Sequence, residues 1–184
     1  MACFGAGSAV AFTSITAPGT VTVPAERIVT TGDGILFPMD PRPRCLVFNN
    51  FGGDSKLYGS GSHQGVDIGA DRGQAVFAVA DGVLVERLEN TGAAGFGWRL
   101  ISHTGDQYRY YHLDGFAEGV AEGDTVRAGQ LIGYVGDTGN ATPGGWHLHF
   151  EVRPGPQPSR GSATPVDPVP LLDIPSVCTI YPPS

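Results

Sequence analysis

The chain has 184 residues, a net charge of −7 and an apolar fraction of 41%, a composition typical of one globular domain with room for tails. The single lysine and a pI of about 5.0 argue against a nucleic-acid partner, and no apolar run is long enough to span a bilayer. The 28 glycines and 15 prolines favour short strands and turns over long helices.

The pattern divides the chain into three parts. Residues 1–34 are rich in small and polar side chains and are predicted to be a tail or linker; they lack the charged and apolar regions of a signal peptide. Residues 35–155 are densely patterned and predict one folded domain. Residues 156–184 are Pro-rich and are expected to run over the surface of that domain, because proline cannot supply the donors of an inner strand.

The dense part predicts an all-β fold built from hairpins. The runs 75–80 and 82–89 meet across Asp81-Gly82, a dipeptide typical of tight hairpin turns. The runs 97–103 and 107–113 meet across a second turn, and glycines divide 123–139 into short strands. We therefore expect successive antiparallel strands and little helix.

The segment H-L-H-F-E-V-R at 147–153 predicts the last strand of the dense part. Its residues alternate strictly, so His147, His149 and Glu151 share one face while the apolar residues between them share the other. Because the apolar face should turn to the core, both histidines are expected to point away from it, into a cleft.

The three cysteines are Cys3, Cys45 and Cys178, and no C-x-x-C pair is present, which argues against a thiolate zinc site. Cys45 and Cys178 flank the dense part from its two sides. In an oxidising compartment we expect them to form a disulfide, with Cys3 free or lost with the tail. Three unrelated thiols remain the alternative.

Four of the five histidines fall in three short motifs. His63 and Asp67 form H-x-x-x-D, His112 ends Y-R-Y-Y-H-L, and His147 and His149 form H-x-H. Each motif alone is common on protein surfaces, but their concentration in one β pattern indicates a shared site. Two histidines and one carboxylate are a frequent catalytic zinc set, because three protein ligands leave a position open for water.

These motifs resemble the lysostaphin/LytM-type zinc endopeptidases over about residues 37–154. The matching stretches are F-G-G-D, H-Q-G-V-D-I-G-A, V-F-A-V-A-D-G-V-L, Y-Y-H-L, G-D-T-V-R-A-G-Q-L-I-G-Y-V-G-D-T-G and W-H-L-H-F-E-V. The resemblance implies a mostly antiparallel β fold, a compact sandwich or barrel with loops around a zinc groove.

The resemblance also implies roles for five residues. It implies that His63, Asp67 and His149 bind Zn²⁺, and that His112 and His147 are the catalytic pair. The implied substrate is the peptide part of bacterial peptidoglycan, and the implied location is secreted, periplasmic, wall-associated or phage-borne. We expect a monomer.

Two positions depart from the family pattern. Asp54 stands where many relatives carry a basic residue, and T-P-G-G-W before His147 is longer and bulkier than usual. Neither change touches an implied ligand. Both are expected to border the groove, so substrate recognition is predicted around Asp54 and Trp146.

Three other functions share some features of this sequence. A non-catalytic wall-binding or amidase-activating module would share the fold, but all five key positions are present. A biotinyl or lipoyl carrier needs a lysine at a hairpin tip, and the one lysine, Lys56, lies far from the similar turn. A helical zinc protease needs H-E-x-x-H, which does not occur, so the general base is expected to be a histidine.

Overall fold

A computed structural model describes residues 34–53, 61–90, 92–155 and 164–182. Within them the structure is nearly all β, as predicted. The strands are β1 (Leu46–Phe48), β2 (Val66–Gly69), β3 (Ala75–Phe77), β4 (Gly82–Glu89), β5 (Phe96–Ser102), β6 (Gln107–Phe116), β7 (Thr125–Val126), β8 (Leu131–Val135), β9 (His147–Arg153) and β10 (Thr179–Tyr181). A short 3-10 helix spans Val169–Leu171. No described helix is long and apolar enough to cross a bilayer.

The strands form one connected sheet in the order β10-β1-β2-β9-β6-β5-β4-β7, with β8 joined to β6 and β3 joined to β8. Every ladder is antiparallel except that of β1 with β10, so the predicted mostly antiparallel fold is confirmed. β6 is the centre of the sheet, because its first half pairs with β9 and its second half with β8. The strand that carries Y-R-Y-Y-H-L therefore lies beside the strand that carries H-L-H.

The second predicted hairpin is confirmed and the first is wrong. β5 and β6 pair across the turn that contains Gly105. β3, however, pairs with β8, while β4 pairs with β5 and β7. The N–H of Val79 donates to the Tyr110 hydroxyl (3.0 Å), and the Asp81 carboxylate accepts from the N–H of Ala128 (2.7 Å). These long-range bonds hold residues 78–81 as a crossover, which the dipeptide Asp81-Gly82 could not reveal.

The core is built from the inner faces of the central strands. Its largest fully buried side chains are Trp98, Tyr110, Phe150, Met39, Ile68, Leu84, Leu100, Leu113, Ile132 and Leu148. On β9, Leu148 and Phe150 are fully buried and Val152 is 4% exposed. The predicted alternation of this strand is therefore confirmed, and it directs the side chains of His147 and His149 to the opposite face.

The C-terminal segment 164–182 packs against the rest of the domain. Isolated bridges join Val152 to Val166 and Ile35 to Leu172, and β10 lies at the edge of the sheet. The predicted disulfide between Cys45 and Cys178 is confirmed. Cys3 lies outside the described residues, and the domain boundaries at 34/35 and 155/156 stay predictions.

Candidate metal centre and active site

Three side chains from two strands and a loop converge on one point. His63 lies in the loop before β2, Asp67 lies on β2, and His149 lies directly opposite Asp67 on β9. The distances are 3.2 Å from His63 Nε2 to Asp67 Oδ1, 3.1 Å from His149 Nδ1 to the same oxygen, and 2.9 Å between the two ring nitrogens. The antiparallel register of β2 and β9 thus creates the cluster.

Gly65 makes room for this convergence. A Cβ built at residue 65 would lie 2.3 Å from the carbonyl oxygen of Phe150 and 2.9 Å from Nε2 of His149. No real side chain tolerates such a contact with backbone, so the chain must pass β9 without a side chain at this point. The glycine of H-Q-G-V-D is therefore a packing requirement of the cluster.

Backbone and carboxylate acceptors orient the two rings. The carbonyl of Asn50 accepts from Nδ1–H of His63 (3.1 Å), and the carboxylate of Glu151 accepts from Nε2–H of His149 (3.3 Å). In the neutral rings the lone pairs of His63 Nε2 and His149 Nδ1 then face the centre of the cluster, together with a carboxylate oxygen. Such outer hydrogen bonds are the usual means of fixing the tautomer of a metal-binding histidine.

Asn50 holds a second ligand as well. Its Nδ2 donates to Oδ2 of Asp67 (2.8 Å), and its Oδ1 accepts from the N–H of Asp67 (3.2 Å). The Asn50 side-chain amide therefore binds both the side chain and the backbone of Asp67. This leaves Oδ1 of Asp67 directed at the histidines. The sequence reasoning missed Asn50, whose only signal was its place next to F-G-G.

The donor set fits a divalent metal ion. The three converging atoms all lie within 4.8 Å of one another. Ligands of a tetrahedral zinc ion at the usual bond lengths are about 3.3 Å apart, close to the observed separations. Lone pairs at such distances repel unless a proton or a cation lies between them, and one divalent metal ion would serve all three donors.

The carboxylates of Asp67 and Glu151 stabilise positive charge within the cluster. Burial opposes ionisation of Asp67, but hydrogen bonds from His149 and His63 outweigh it and hold the pKa far below its usual range. Burial likewise disfavours charged His149, but the hydrogen bonds to Asp67 and Glu151 raise its pKa to about 9. The pocket between these two carboxylates is therefore built to stabilise a cation.

His112 lies beside this centre in an unusual backbone conformation. Its φ of 62° is in the left-handed region, which non-glycine residues rarely adopt, and it lies in β6 where the pairing changes from β9 to β8. The carbonyl of Thr138 accepts from Nδ1–H (2.8 Å), which leaves Nε2 as the unprotonated nitrogen. Burial, and next the nearby charge of His147, lower the pKa of His112 to about 4.

His147 stands on the other side of the same space. The carbonyl of Gly145 accepts from its Nδ1–H (2.7 Å), and its Nε2 lies 3.7 Å from Oδ1 of Asp67. The rings of His147 and His112 are 4.8 Å apart between centroids. The structure thus brings all five predicted site residues together, three in the tight cluster and two beside it.

The cluster lies where two cavities of a surface cleft meet, and both cavities are lined by Asp67 and His147. The aromatic arm, of about 370 Å³, includes Phe48, Trp146 and Arg44. The polar arm, of about 670 Å³, includes Tyr111, His112, Arg109 and Glu151. Trp146 borders the cleft as predicted, whereas Asp54 lies outside the described residues.

These features define an all-β protein with a cleft suited to a divalent metal ion. Residues 61–168 match the model of peptidase family M23, more than half of the chain, and the chain belongs to this metallopeptidase family. The DD-carboxypeptidase/endopeptidase Mpg of Neisseria meningitidis is 41% identical over 96 residues, which cover 52% of this chain and 21% of that protein.

Two further relatives differ in their described roles. The murein hydrolase activator NlpD of Salmonella dublin is 36% identical over 109 residues, which cover 58% of this chain and 26% of that protein. The catalytic domain of the antimicrobial peptidase lysostaphin from Staphylococcus simulans is 37% identical, with a TM-score of 0.52; the match covers 61% of this chain and 80% of that domain. The chain spans about a fifth to a quarter of the length of the two curated relatives.

Proposed function

We propose that this chain is a zinc-dependent endopeptidase that hydrolyses peptide bonds in the cross-links or stem peptides of bacterial peptidoglycan. The observation that carries the proposal is the meeting of two sets of histidines in one cleft. One set converges with Asp67 into a cation site, and the other presents ring nitrogens beside it without joining it. A metal centre alone could serve only to bind a ligand. The additional pair, His112 and His147, supplies the groups that proton transfer requires.

We assign the metal to His63, Asp67 and His149. Zinc fits this set because it is usually bound by four nitrogen or oxygen ligands in a tetrahedral arrangement. Three protein ligands therefore leave the fourth coordination position open. When bound, it would supply Lewis acidity that polarises a carbonyl and acidifies water. Asn50 and Glu151 hold the ligands in the required tautomers and orientations.

His112 and His147 divide the proton transfers. His112, whose pKa is lowered to about 4, is neutral near pH 7 and can accept a proton at Nε2. Once its Nε2, which lies 3.7 Å from the Asp67 oxygen, has taken up a proton, His147 can donate a hydrogen bond to the developing oxyanion or a proton to the leaving amine. Both rings are held by backbone carbonyls, so their reactive nitrogens keep their direction.

The second candidate is a non-catalytic activator of other wall hydrolases. The similarity to a murein hydrolase activator favours it. The intact cluster and the strained His112 argue against it, because an activator needs neither a cation site nor a costly backbone conformation beside one.

We place the protein in an oxidising, wall-facing compartment, either secreted or periplasmic, and we expect it to act as a monomer. The disulfide between Cys45 and Cys178 supports this location, because such bonds persist outside reducing compartments.

Digestion of purified peptidoglycans of several cross-link types, with mass spectrometry of the fragments, tests the proposal. We expect cleavage of wall peptides by the zinc-loaded protein and little activity on casein. The matched control is His103→Ala, which changes the one histidine outside the three motifs. Intact peptidoglycan together with robust casein hydrolysis would contradict the proposed substrate, and no hydrolysis of either would favour the activator.

A further inference from the structure

A row of four charged side chains crosses the sheet next to the metal cluster. Register partners place Glu86 on β4 opposite Arg99 on β5, Arg99 opposite Arg109 on β6, and Arg109 opposite Glu151 on β9. The row therefore reads negative, positive, positive, negative across adjacent strands. Arg153, two residues beyond Glu151 on β9, adds a third guanidinium.

Within this row Arg109 has the longest ion pair. Arg99 binds Glu86 at 2.6 Å, and Arg153 binds Glu151 at 2.7 Å. Arg109 reaches Glu151 only at 3.4 Å, longer than the 2.7–2.9 Å usual for a charge-assisted hydrogen bond. Among the described residues no other carboxylate lies within 4 Å of it, and its Nε donates to the neutral amide of Gln107 (2.7 Å).

Arg109 is also buried where its charge is costly. Its residue exposure is 7%, and that of Arg153 is 5%, so two guanidinium groups share one carboxylate away from water. Glu151 also accepts hydrogen bonds from His149 and Arg153. The row and Arg153 together hold three guanidinium groups against two carboxylates, and Arg109 has the weakest ion pair of the three.

Arg109 faces the cleft. Arg109 lines the polar arm together with Tyr111, His149 and Glu151, next to the metal cluster. A carboxylate that entered this arm could give Arg109 a closer partner than Glu151 at 3.4 Å. A guanidinium is suited to that task because its fork of donors matches a carboxylate in two-point geometry.

We propose that Arg109 binds a free carboxylate of the substrate peptide, close to the bond that is cut. The inference rests on the proposed peptidase function and deepens it by naming a substrate class. It favours stem or cross-link peptides that carry free carboxylates over glycine bridges, whose residues have no side chains.

The test uses two synthetic cross-linked stem peptides that differ only in whether their side carboxylates are free or converted to carboxamides. For the zinc-loaded wild-type protein we expect kcat/KM to be about 10- to 100-fold higher for the carboxylate peptide, the usual worth of one charged hydrogen bond. In Arg109→Gln that ratio should fall to about one. Arg72→Gln, which changes an exposed arginine paired with Asp114 outside the cleft, should keep the wild-type ratio.

Two measurements separate the possible failures. Zinc content and thermal melting show whether Arg109→Gln folds; if it does not, Arg109→Lys keeps the charge but loses the fork, and its ratio must still fall below that of the wild type. Calorimetric binding of both peptides does not need cleavage. Tighter binding of the carboxylate peptide without hydrolysis would overturn the proposed peptidase and keep the role of Arg109, whereas equal rates and equal affinities for the two peptides would overturn that role.

Discussion

The two halves of the site are built differently. In the ligand half His63 and His149 are buried and Asp67 is half-buried, and all three are held by side chains of Asn50 and Glu151 or by the backbone of Asn50. The histidine pair beside it is held by single backbone carbonyls of the loops around residues 138 and 145. The difference indicates that β2, β9 and the loop residues Asn50 and His63 fix where a metal ion binds, while the loops around residues 138 and 145 orient the two rings that β6 and β9 carry.

The largest effect should come from the ligand half. His63→Ala, Asp67→Ala or His149→Ala removes one of three metal bonds, so zinc occupancy and wall hydrolysis should both collapse to background. Metal content by mass spectrometry beside a wall-lysis assay checks this. Full zinc occupancy in His149→Ala would show that His149 does not belong to the ligand half.

A smaller effect is expected from the other half. His112→Ala and His147→Ala should keep about one equivalent of zinc, because neither ring belongs to the tight cluster, while activity falls by about 10²–10⁴. The same two assays apply. If His147→Ala loses its zinc as His149→Ala does, the division of the site into two halves is wrong.

The disulfide anchors the strand that leads to the ligand half, since Cys45 precedes β1 and Asn50 follows it. Replacing Cys45 and Cys178 by serine opens a closed loop with a sequence separation of 133 residues. In the chain-entropy model the free energy of unfolding falls by about 4–5 kcal/mol. Chemical denaturation of both proteins measures it, and three free thiols in the denatured wild-type protein would refute the bridge.

The smallest effect is expected from Asn50→Ala and concerns zinc affinity. Asn50→Ala removes the amide that grips Asp67 but keeps the backbone carbonyl that orients His63. Zinc affinity should fall by about 10- to 100-fold, the usual cost of an outer-shell partner. Competition with a zinc chelator gives the dissociation constant, and the neighbouring Asn49→Ala is the control. Equal affinities in all three proteins would show that Asn50 does not act through the metal.

The five candidate residues could be picked from the sequence because they fall in short local motifs, while their roles came from the family resemblance. Alternation along 147–153 predicts that His147, His149 and Glu151 share one face of β9, and the register with β2 and β6 is consistent with it. The pairing of Cys45 with Cys178 followed from their placement at the two sides of the dense part.

What sequence patterns missed depends on long-range contacts. The crossover after β3 is held by Tyr110 and Ala128, which lie 31 and 47 residues further along the chain. Asn50 contacts Asp67, which lies 17 residues further along the chain. The role proposed for Arg109 depends on its position opposite Glu151 on another strand. None of these contacts has a periodic signal.

Zinc stoichiometry and reactivation test the central claim most directly. The purified protein should contain one equivalent of zinc, lose peptidoglycan hydrolysis when a chelator removes the metal, and regain it when zinc is restored. Hydrolysis that survives complete removal of the metal would contradict the assignment of His63, Asp67 and His149 as the metal site of a peptidase.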